Sequence, residues 1–375
     1  LSATLDDAHS ATDTRLSTMQ VARAFKDPLE YFSQQRLGVN LSHSFTLLEN
    51  SEPFETNALV RYQVLDAIFS VPTSQEQPTS YDNVGEQIAK FAMLRGDIPN
   101  NPVAHEELQM WKDGALALNQ AIGPHDAEAK TASFTGQYIT FTTTAFEAAD
   151  SLVQRCAGKI NDTRALSYFM SQLVFSANTD THTYSGYPLD IYYCSWEKGE
   201  TTLIKRRYAP FDTSTAQNIL LFIEQLYISI FTAPTPLYAS QFNDLVPGKR
   251  NSESKALVSD ITPAIFNEVV QALQRYSQIP GARLRVKNGC ACEEDIGSEK
   301  PEQIIQRTID LFESSTAQRL LRGWEQSTSQ YGPKMADDPY LKWLFPDGIS
   351  WQSLPCVEGF ILFAMVANSA EEEKL

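Results

Sequence analysis

The stretch FKDPLEYFSQQRLGV occupies residues 25–39, and EPFETNALVRYQVLD follows at residues 52–66. In the first stretch, Asp27 is a favourable helix N-cap, Pro28 suits the first helical position, and Gly38 suits the residue after a helix end. The pattern therefore predicts a helix that begins at Pro28 and ends before Gly38. The second stretch predicts a further amphipathic helix. The apolar anchors of the first helix would be Leu29, Phe32 and Leu37.

Composition sets the broad class of the protein. The chain has 375 residues, of which 42% are hydrophobic and 11% aromatic. This supports a sizeable core in one large domain or two, and excludes global disorder. The net charge of −16 argues against a domain that grips DNA tightly by itself, because phosphate neutralisation by basic residues drives such binding. A small contact with DNA, made beside basic partner proteins, remains compatible with this net charge.

The chain carries no sign of export or membrane insertion. Its polar, acidic opening LSATLDDAHSATDT lacks the basic start and apolar run of a secretory signal, and suggests a piece of a longer protein. The longest apolar stretch, VEGFILFAMVANSA, is too short to span a bilayer. Five irregularly spaced cysteines fit a reducing compartment. We therefore expect a cytoplasmic protein without a membrane contact.

Local patterns change from helical to strand-like along the chain. Helical patterns recur up to residue 122, and ASFTGQYITFTTT at residues 132–144 alternates as a strand does. Residues 145–160 fit either a second strand or a short helix, and both remain open. Residues 162–177 predict a helix with one apolar stripe.

The next segments complete an α/β pattern. Residues 189–208 predict a β-hairpin with its turn at EKGE, and a buried helix should follow, capped by Asp212 or Thr213. PTPLYAS then suits a short inner strand. Helices alternating with strands in this order predict helices covering a mixed sheet. The expected divisions are a polar linker at 1–21, a helical subregion at 22–122, an α/β core at 123–243, a loop-rich insertion at 244–300, and C-terminal helices at 301–375.

Three blocks, PLEYFSQQRLGV, EPFETNALVRYQ and APTPLYAS, carry a family resemblance. The chain resembles the C-terminal domain of the exodeoxyribonuclease V gamma chain, RecC, over residues 22–240 and more weakly over 300–365. The resemblance implies a PD-(D/E)XK, restriction-endonuclease-like core with extra N-terminal and C-terminal helices. It also implies a subunit of the RecBCD helicase–nuclease, which repairs double-strand breaks. There it would contact the RecB and RecD subunits, help to split duplex DNA and channel the single strands.

Active members of that superfamily place an Asp on the second core strand and an acid-x-Lys triplet on the next strand, where the carboxylates hold Mg²⁺. In this sequence, Thr144 or Ala145 takes the position of the Asp. The triplet would fall on Tyr193, Cys194 and Ser195. The resemblance therefore implies no catalytic residue, no metal site and no cofactor in this stretch. An active nuclease with migrated ligands is the alternative, and its candidate ligands are Asp150, Asp190 and Glu197.

Two basic groups are candidate contacts for DNA phosphates, since one-sided basic strands can bind phosphate by charge and hydrogen bonding. One follows the hairpin, and the other lies in the segment RLRVK. An ordinary solvated edge strand is the competing interpretation, and a protein-interaction scaffold that never contacts DNA is a further one. The pair Cys290 and Cys292 is spaced too closely for a typical zinc site. The candidate DNA-binding residues are Lys205, Arg206, Arg207, Arg283, Arg285 and Lys287.

Overall fold

The computed structural model describes residues 14–41, 62–66, 87, 90–96, 98–99, 101–123, 125–178, 184–197, 200–232, 234, 285–287, 290–292, 339–344 and 370–375. Its labelled helices are α1 (Thr18–Ala24), α2 (Pro28–Arg36), α3 (Pro102–Ile122), α4 (Asp162–Ala177), α5 (Thr213–Thr232) and α6 (Pro339–Leu344). The strands are β1 (Arg15–Ser17), β2 (His125–Thr135), β3 (Thr140–Ala148), β4 (Leu152–Cys156), β5 (Leu189–Glu197), β6 (Glu200–Tyr208), β7 (Arg285–Lys287), β8 (Cys290–Cys292) and β9 (Ala370–Lys374).

Seven strands form one mixed sheet. Its order is β1-β3-β4-β5-β6-β9, and β2 pairs with the remaining edge of β3. The pairs β1–β3 and β4–β5 are parallel, whereas β2–β3, β3–β4, β5–β6 and β6–β9 are antiparallel. Strands β7 and β8 form a separate antiparallel pair. The predicted α/β class with a mixed sheet flanked by helices is confirmed.

Helices cover both faces of the sheet. Successive side chains of a strand point to opposite faces, so one strand can contribute to the core on each side. Along β5, Leu189, Ile191 and Tyr193 join the core beneath α1, α4 and α5, whereas Tyr192 and Cys194 join the core beneath α3. Helix α4 packs directly on the sheet, and its predicted apolar stripe is completely buried. The strand β5 is therefore central, with apolar side chains on both of its faces.

The predicted start of α2 is confirmed. Asp27 is its N-cap and accepts a hydrogen bond from the backbone N–H of Glu30, with Pro28 as the first helical residue. Leu29 and Phe32 are buried as expected. Leu37 lies outside the helix and is 46% exposed, so its predicted role as an anchor was wrong.

The region assigned from sequence to a polar linker contains ordered structure. Residues 14–21 form β1 and begin α1, and β1 pairs with β3 over Thr140–Thr142. Val21 is fully buried in the core. A three-residue strand followed by one short helix carries little periodicity, which explains why the polar composition dominated the prediction.

The alternative left open for residues 145–160 is resolved in favour of a strand. The segment contains the end of β3, a turn at residues 149–151 and β4. The helix prediction for 162–177, the hairpin at 189–208 and the cap of α5 by Asp212 are confirmed. The predicted strand PTPLYAS and nearly all of residues 244–300 and 301–338 lie outside the described residues.

A buried carboxylate holds the turn between β2 and β3. Glu224 of α5 is completely buried and accepts hydrogen bonds from the backbone N–H groups of Gln137, Tyr138 and Ile139 at 2.7–2.9 Å. A Cβ atom at Gly136 would lie 2.4 Å from Glu224 Oε1. The turn therefore needs a glycine at this position to admit the carboxylate.

Candidate functional site

Strand β4 lies between the two strands on which nuclease ligands were expected. Thr144 and Ala145 lie on β3, and residues 193–195, the expected acid-x-Lys positions, lie on β5. Strand β4 pairs with β3 through Phe146–Val153 and Glu147–Leu152, and it is parallel to β5. Its sequence LVQRC contains no acidic residue.

The side chains of Ala145, Gln154 and Cys156 are neutral. Ala145 and Cys156 are buried, and Cys156 Sγ donates a hydrogen bond to the Gly158 carbonyl oxygen at 3.0 Å. Gln154 on β4 donates from its amide to the Thr144 carbonyl oxygen of β3. Next to Cys156, burial raises the pKa of the Tyr168 hydroxyl well above its usual value. Ala145, Gln154 and Cys156 thus contribute apolar atoms and neutral hydrogen bonds to this part of the sheet.

The neighbouring part of β3 is likewise neutral where it is buried. Thr143 Oγ1 donates to Ser171 Oγ of α4 at 2.8 Å, and Thr18 Oγ1 of α1 lies 3.0 Å from the same oxygen. The acid at the end of β3, Glu147, is half-buried and accepts a hydrogen bond from the Tyr184 hydroxyl at 3.0 Å. Its Oε2 atom also lies 3.7 Å from Lys130 Nζ. The Glu147 carboxylate therefore already has two partners, Tyr184 and Lys130, at its Oε2 atom.

Of the three acids considered as migrated metal ligands, Asp150 and Asp190 have described side chains. Asp150 is exposed in the turn after β3, and Asp190 is buried on β5. Glu197 ends β5, but its side chain is outside the described part of the chain. Over the described ranges, no three residues of the types His, Cys, Asp and Glu lie close enough together to hold a metal ion.

Asp190 belongs instead to a compact ion cluster between β5 and β6. It is 1% exposed, and its two oxygens accept hydrogen bonds from Arg207 Nε and Nη2, each at 2.7 Å. Lys205 Nζ lies 3.3 Å from Oδ2. The hydrogen bonds to Asp190 raise the pKa of the Arg207 guanidinium above its ordinary value. Two cations thus occupy the oxygens that a divalent metal would need.

The third base of this strand points to the other face of the sheet. Arg206 Nη1 lies 3.3 Å from Glu372 Oε1 of β9, and the Tyr193 hydroxyl donates to the same oxygen at 3.2 Å. Burial, followed by the charge of Glu372, raises the pKa of Tyr193. The three bases proposed as DNA contacts on β6 therefore all lie beside carboxylates of the chain.

The second predicted basic group is only partly placed. Arg285 and Lys287 lie at the two ends of β7, which pairs with β8. Arg283 lies outside the described residues, as do the side chains of β7 and of Cys290 and Cys292 in β8. Arg285 and Lys287 share a face of the strand by alternation. Their contact with DNA stays a prediction.

The acidic strand β9 was not anticipated from the sequence. The run Glu371–Glu373 lies opposite the basic run of β6, in the register Lys205–Glu373, Arg206–Glu372 and Arg207–Glu371. A search for runs of opposite charge would have found both segments. Only the sheet order shows that they pair, because Arg206 and Glu372 are 166 residues apart along the chain.

Cys156 and Cys194 are buried free thiols within the two cores. Burial raises the pKa of Cys194 to about 12. Cys194 is therefore unsuited to nucleophilic chemistry, because a thiolate is the reactive form of cysteine. Within the described ranges, no helix combines the length and the hydropathy of a membrane-spanning segment.

Comparison with known families supplies the identity of the domain. A family model described as the RecC C-terminal domain matches residues 13–241, well over half of the chain. No curated protein matches the chain. The matched range begins just before β1 and extends beyond α5, so it contains six of the strands of the main sheet described here. The chain therefore belongs to the RecC C-terminal domain family, which links it to DNA processing by the RecBCD complex.

Proposed function

We propose that this domain serves the RecBCD helicase–nuclease without cleaving DNA itself. Its role is to contact the RecB and RecD subunits and to help split and channel duplex DNA during repair of double-strand breaks. It acts in the bacterial cytoplasm and uses no cofactor of its own in this stretch. The family match supports the link to RecBCD; the separate roles are part of the proposal.

One observation carries the absence of nuclease chemistry in this proposal. The succession β2, β3, β4, α4 and then β5 parallel to β4 supports a restriction-endonuclease-like core. In such a core the metal ligands would lie on β3 and β4, where the chain has Thr144 or Ala145, Gln154 and Cys156. Mg²⁺ takes oxygen ligands, chiefly carboxylates, and none of these side chains is a carboxylate.

A cleavage assay tests this directly. The chain is incubated with Mg²⁺ or Mn²⁺ and end-labelled linear DNA, beside Asp190→Ala and Glu147→Ala variants whose folding is checked by circular dichroism. We expect no metal-dependent cleavage from any of them. Metal-dependent cleavage by the unmodified chain that Asp190→Ala abolishes would establish the alternative, an active nuclease with migrated ligands.

The contact with DNA is proposed to use β6 and β7. Charge reversal of Arg206, and separately of Arg283, Arg285 and Lys287, should weaken duplex binding by the assembled RecBCD complex. Removal of each phosphate contact should lower the slope of log affinity against log salt by about 0.9. Unchanged affinity and slope in both sets of variants would remove DNA binding from the proposal.

A second candidate function is a protein-interaction scaffold that does not contact DNA. The observation that favours it is the local charge of β6, because Lys205, Arg206 and Arg207 all have carboxylate neighbours within the chain. Site-specific photocrosslinking from β6 positions in the complex on a duplex end separates the two functions. Crosslinks to DNA favour the DNA-handling role, and crosslinks only to RecB or RecD favour the scaffold.

A further inference from the structure

Strand β9 places an acidic segment directly on the basic strand β6. The register sets Glu373 opposite Lys205, Glu372 opposite Arg206 and Glu371 opposite Arg207. Side chains of directly opposed residues lie on the same face of an antiparallel pair, with Cβ atoms about 5 Å apart. Each of the three bases therefore has a glutamate of β9 as its directly opposed neighbour on that strand.

The charges of β9 alternate between the two faces of the sheet. Glu371 and Glu373 share a face with Arg207 and Lys205, whereas Glu372 lies with Arg206 on the other face. A strand rises about 3.4 Å per residue, so charges on one face recur about every 6.8 Å. On each face, β9 thus presents to the bases of β6 the same sign of charge that a phosphate would present.

The local charge balance disfavours phosphate binding while β9 is in place. Asp190 binds Lys205 and Arg207 on one face, and the glutamates of β9 add three further carboxylates along the edge. Asp190, Glu371 and Glu373 then lie with Lys205 and Arg207 on one face, and Glu372 lies with Arg206 on the other. A phosphate that approached β6 would therefore meet no net positive charge on either face, so these bases do not favour it.

The interactions that hold β9 are of a kind that can be exchanged. The strand has five residues, and Glu371–Leu375 are exposed. Within the described part of the chain its ladder partner is β6 alone. Exposed ion pairs contribute little to stability, and short edge elements open at low free energy.

We propose that β9 is an internal competitor for the DNA-binding strand, which masks Lys205, Arg206 and Arg207 until a nucleic-acid backbone replaces it. This inference rests on the proposed function of β6 as a DNA contact. It adds the regulation of that contact. Polyanion binding and β9 docking are then mutually exclusive at this edge of the sheet.

The test uses the full chain and a fluorescently labelled duplex, with affinity measured by anisotropy over a range of salt concentrations. Three substitutions, Glu371→Gln, Glu372→Gln and Glu373→Gln, neutralise β9 and keep its shape. We expect on the order of tenfold tighter binding at low salt, as for the release of three partly exposed ion pairs. The salt slope should steepen by about 0.9 for each additional phosphate that the bases bind. The result is the same whether the neutral strand stays paired or detaches.

A matched control separates unmasking from a general change of net charge. Glu106→Gln, Glu107→Gln and Asp113→Asn change the charge by the same amount on α3, outside the ladder between β6 and β9. Equal tightening in this control overturns the inference. Tightening that is confined to the β9 variant, and reduced when Arg206→Gln is added to it, supports the inference.

Failure of the inference and failure of the proposed function give different results. If Arg206→Gln weakens binding of the unmodified chain but neutral β9 does not tighten it, β6 contacts DNA and β9 is no competitor. If Arg206→Gln has no effect in either background, the DNA contact of β6 is itself refuted. Circular dichroism of each variant confirms that folding is retained.

Discussion

Two buried carboxylates, in different halves of the molecule, are stabilised in different ways. Glu224, near the β2–β3 turn, accepts hydrogen bonds at both of its oxygens from uncharged backbone N–H groups. Asp190, between β5 and β6, binds the cationic side chains of Arg207 and Lys205. Both carboxylates are essentially inaccessible to solvent.

The comparison shows why buried acids do not make a metal site here. A buried carboxylate needs partners for its oxygens, because an unpaired buried charge is strongly unfavourable. In one half the backbone supplies these partners, and in the other half neighbouring strands supply cations. The β3–β4 region between the two halves has buried neutral side chains where a cation would need anionic ligands.

Replacement of Glu224 should have the largest effect. Glu224→Ala leaves three backbone N–H groups without their acceptor, and we expect a loss of about 4 kcal/mol in the free energy of unfolding. Denaturation by urea, followed by circular dichroism, measures it. The control Glu224→Gln retains one acceptor oxygen and should lose less. A change below that of an ordinary surface substitution would show that the turn does not depend on this carboxylate.

Gly136→Ala should act through the same carboxylate. Its Cβ would overlap Glu224 Oε1, so the substitution displaces that side chain from its hydrogen bonds. We expect a loss of about 3 kcal/mol, and strong non-additivity with Glu224→Ala because both changes remove one interaction. A double-mutant cycle measures this coupling. If the two losses of stability simply add, the need for glycine at position 136 does not come from the Glu224 carboxylate.

Arg207→Ala tests the cationic half. It removes the bidentate partner of Asp190, although Lys205 remains and the Arg207 side chain is 41% exposed. Because solvent screens part of the pair, we expect about 2 kcal/mol, below the usual range for a broken buried ion pair. Arg206→Ala is the matched control and should lose less than about 1 kcal/mol, since its partner Glu372 is half-exposed. Equal losses would remove the distinction between the two faces of β6.

Asp212 tests how much hydrogen bonds stabilise a carboxylate that is not deeply buried. This half-exposed N-cap of α5 accepts hydrogen bonds from Thr215 N at 2.8 Å and Ser214 Oγ at 2.7 Å, and these lower its pKa. We expect Asp212→Ala to lose about 1 kcal/mol at neutral pH, as is typical when an N-cap is removed. Urea denaturation at pH 7 measures the loss.

The sign of the pH effect follows from the lowered pKa of Asp212. A carboxyl whose pKa is lower in the folded state stabilises the fold above its unfolded pKa of about 4, and loses that contribution as pH falls through the folded value. The difference between Asp212→Ala and the unmodified chain should therefore shrink in acid. Asp212→Asn, which keeps a capping oxygen, should show a smaller loss at neutral pH. A difference independent of pH would contradict the charge-assisted cap.

The strongest local patterns predicted the structure best. The bounds of α3 and α4 and the hairpin of β5 and β6 follow from periodicity, caps and turn residues that act within a few positions. The short strands β1 and β4 were missed or left open, because three to five residues give almost no periodic signal.

The candidate site was less accessible from the sequence. Lys205, Arg206 and Arg207 were identified as a basic group, but their partners Asp190 and Glu372 lie on other strands. Glu224 gave no signal, since a single acid on an apolar helix looks the same whether its oxygens meet water or backbone N–H groups. Local sequence does not specify which distant groups will share a buried space.

The alternation of helices and strands, the family, and the neutral residues Thr144 and Ala145 follow from the amino-acid sequence, because they depend on residue identity and short-range spacing. The folded structure was needed to show that Asp190 faces two cations, that β9 lies on β6, and that Glu224 closes the β2–β3 turn. Charge and hydrogen-bond satisfaction depend on through-space neighbours, which sheet order and helix packing bring together from distant parts of the chain.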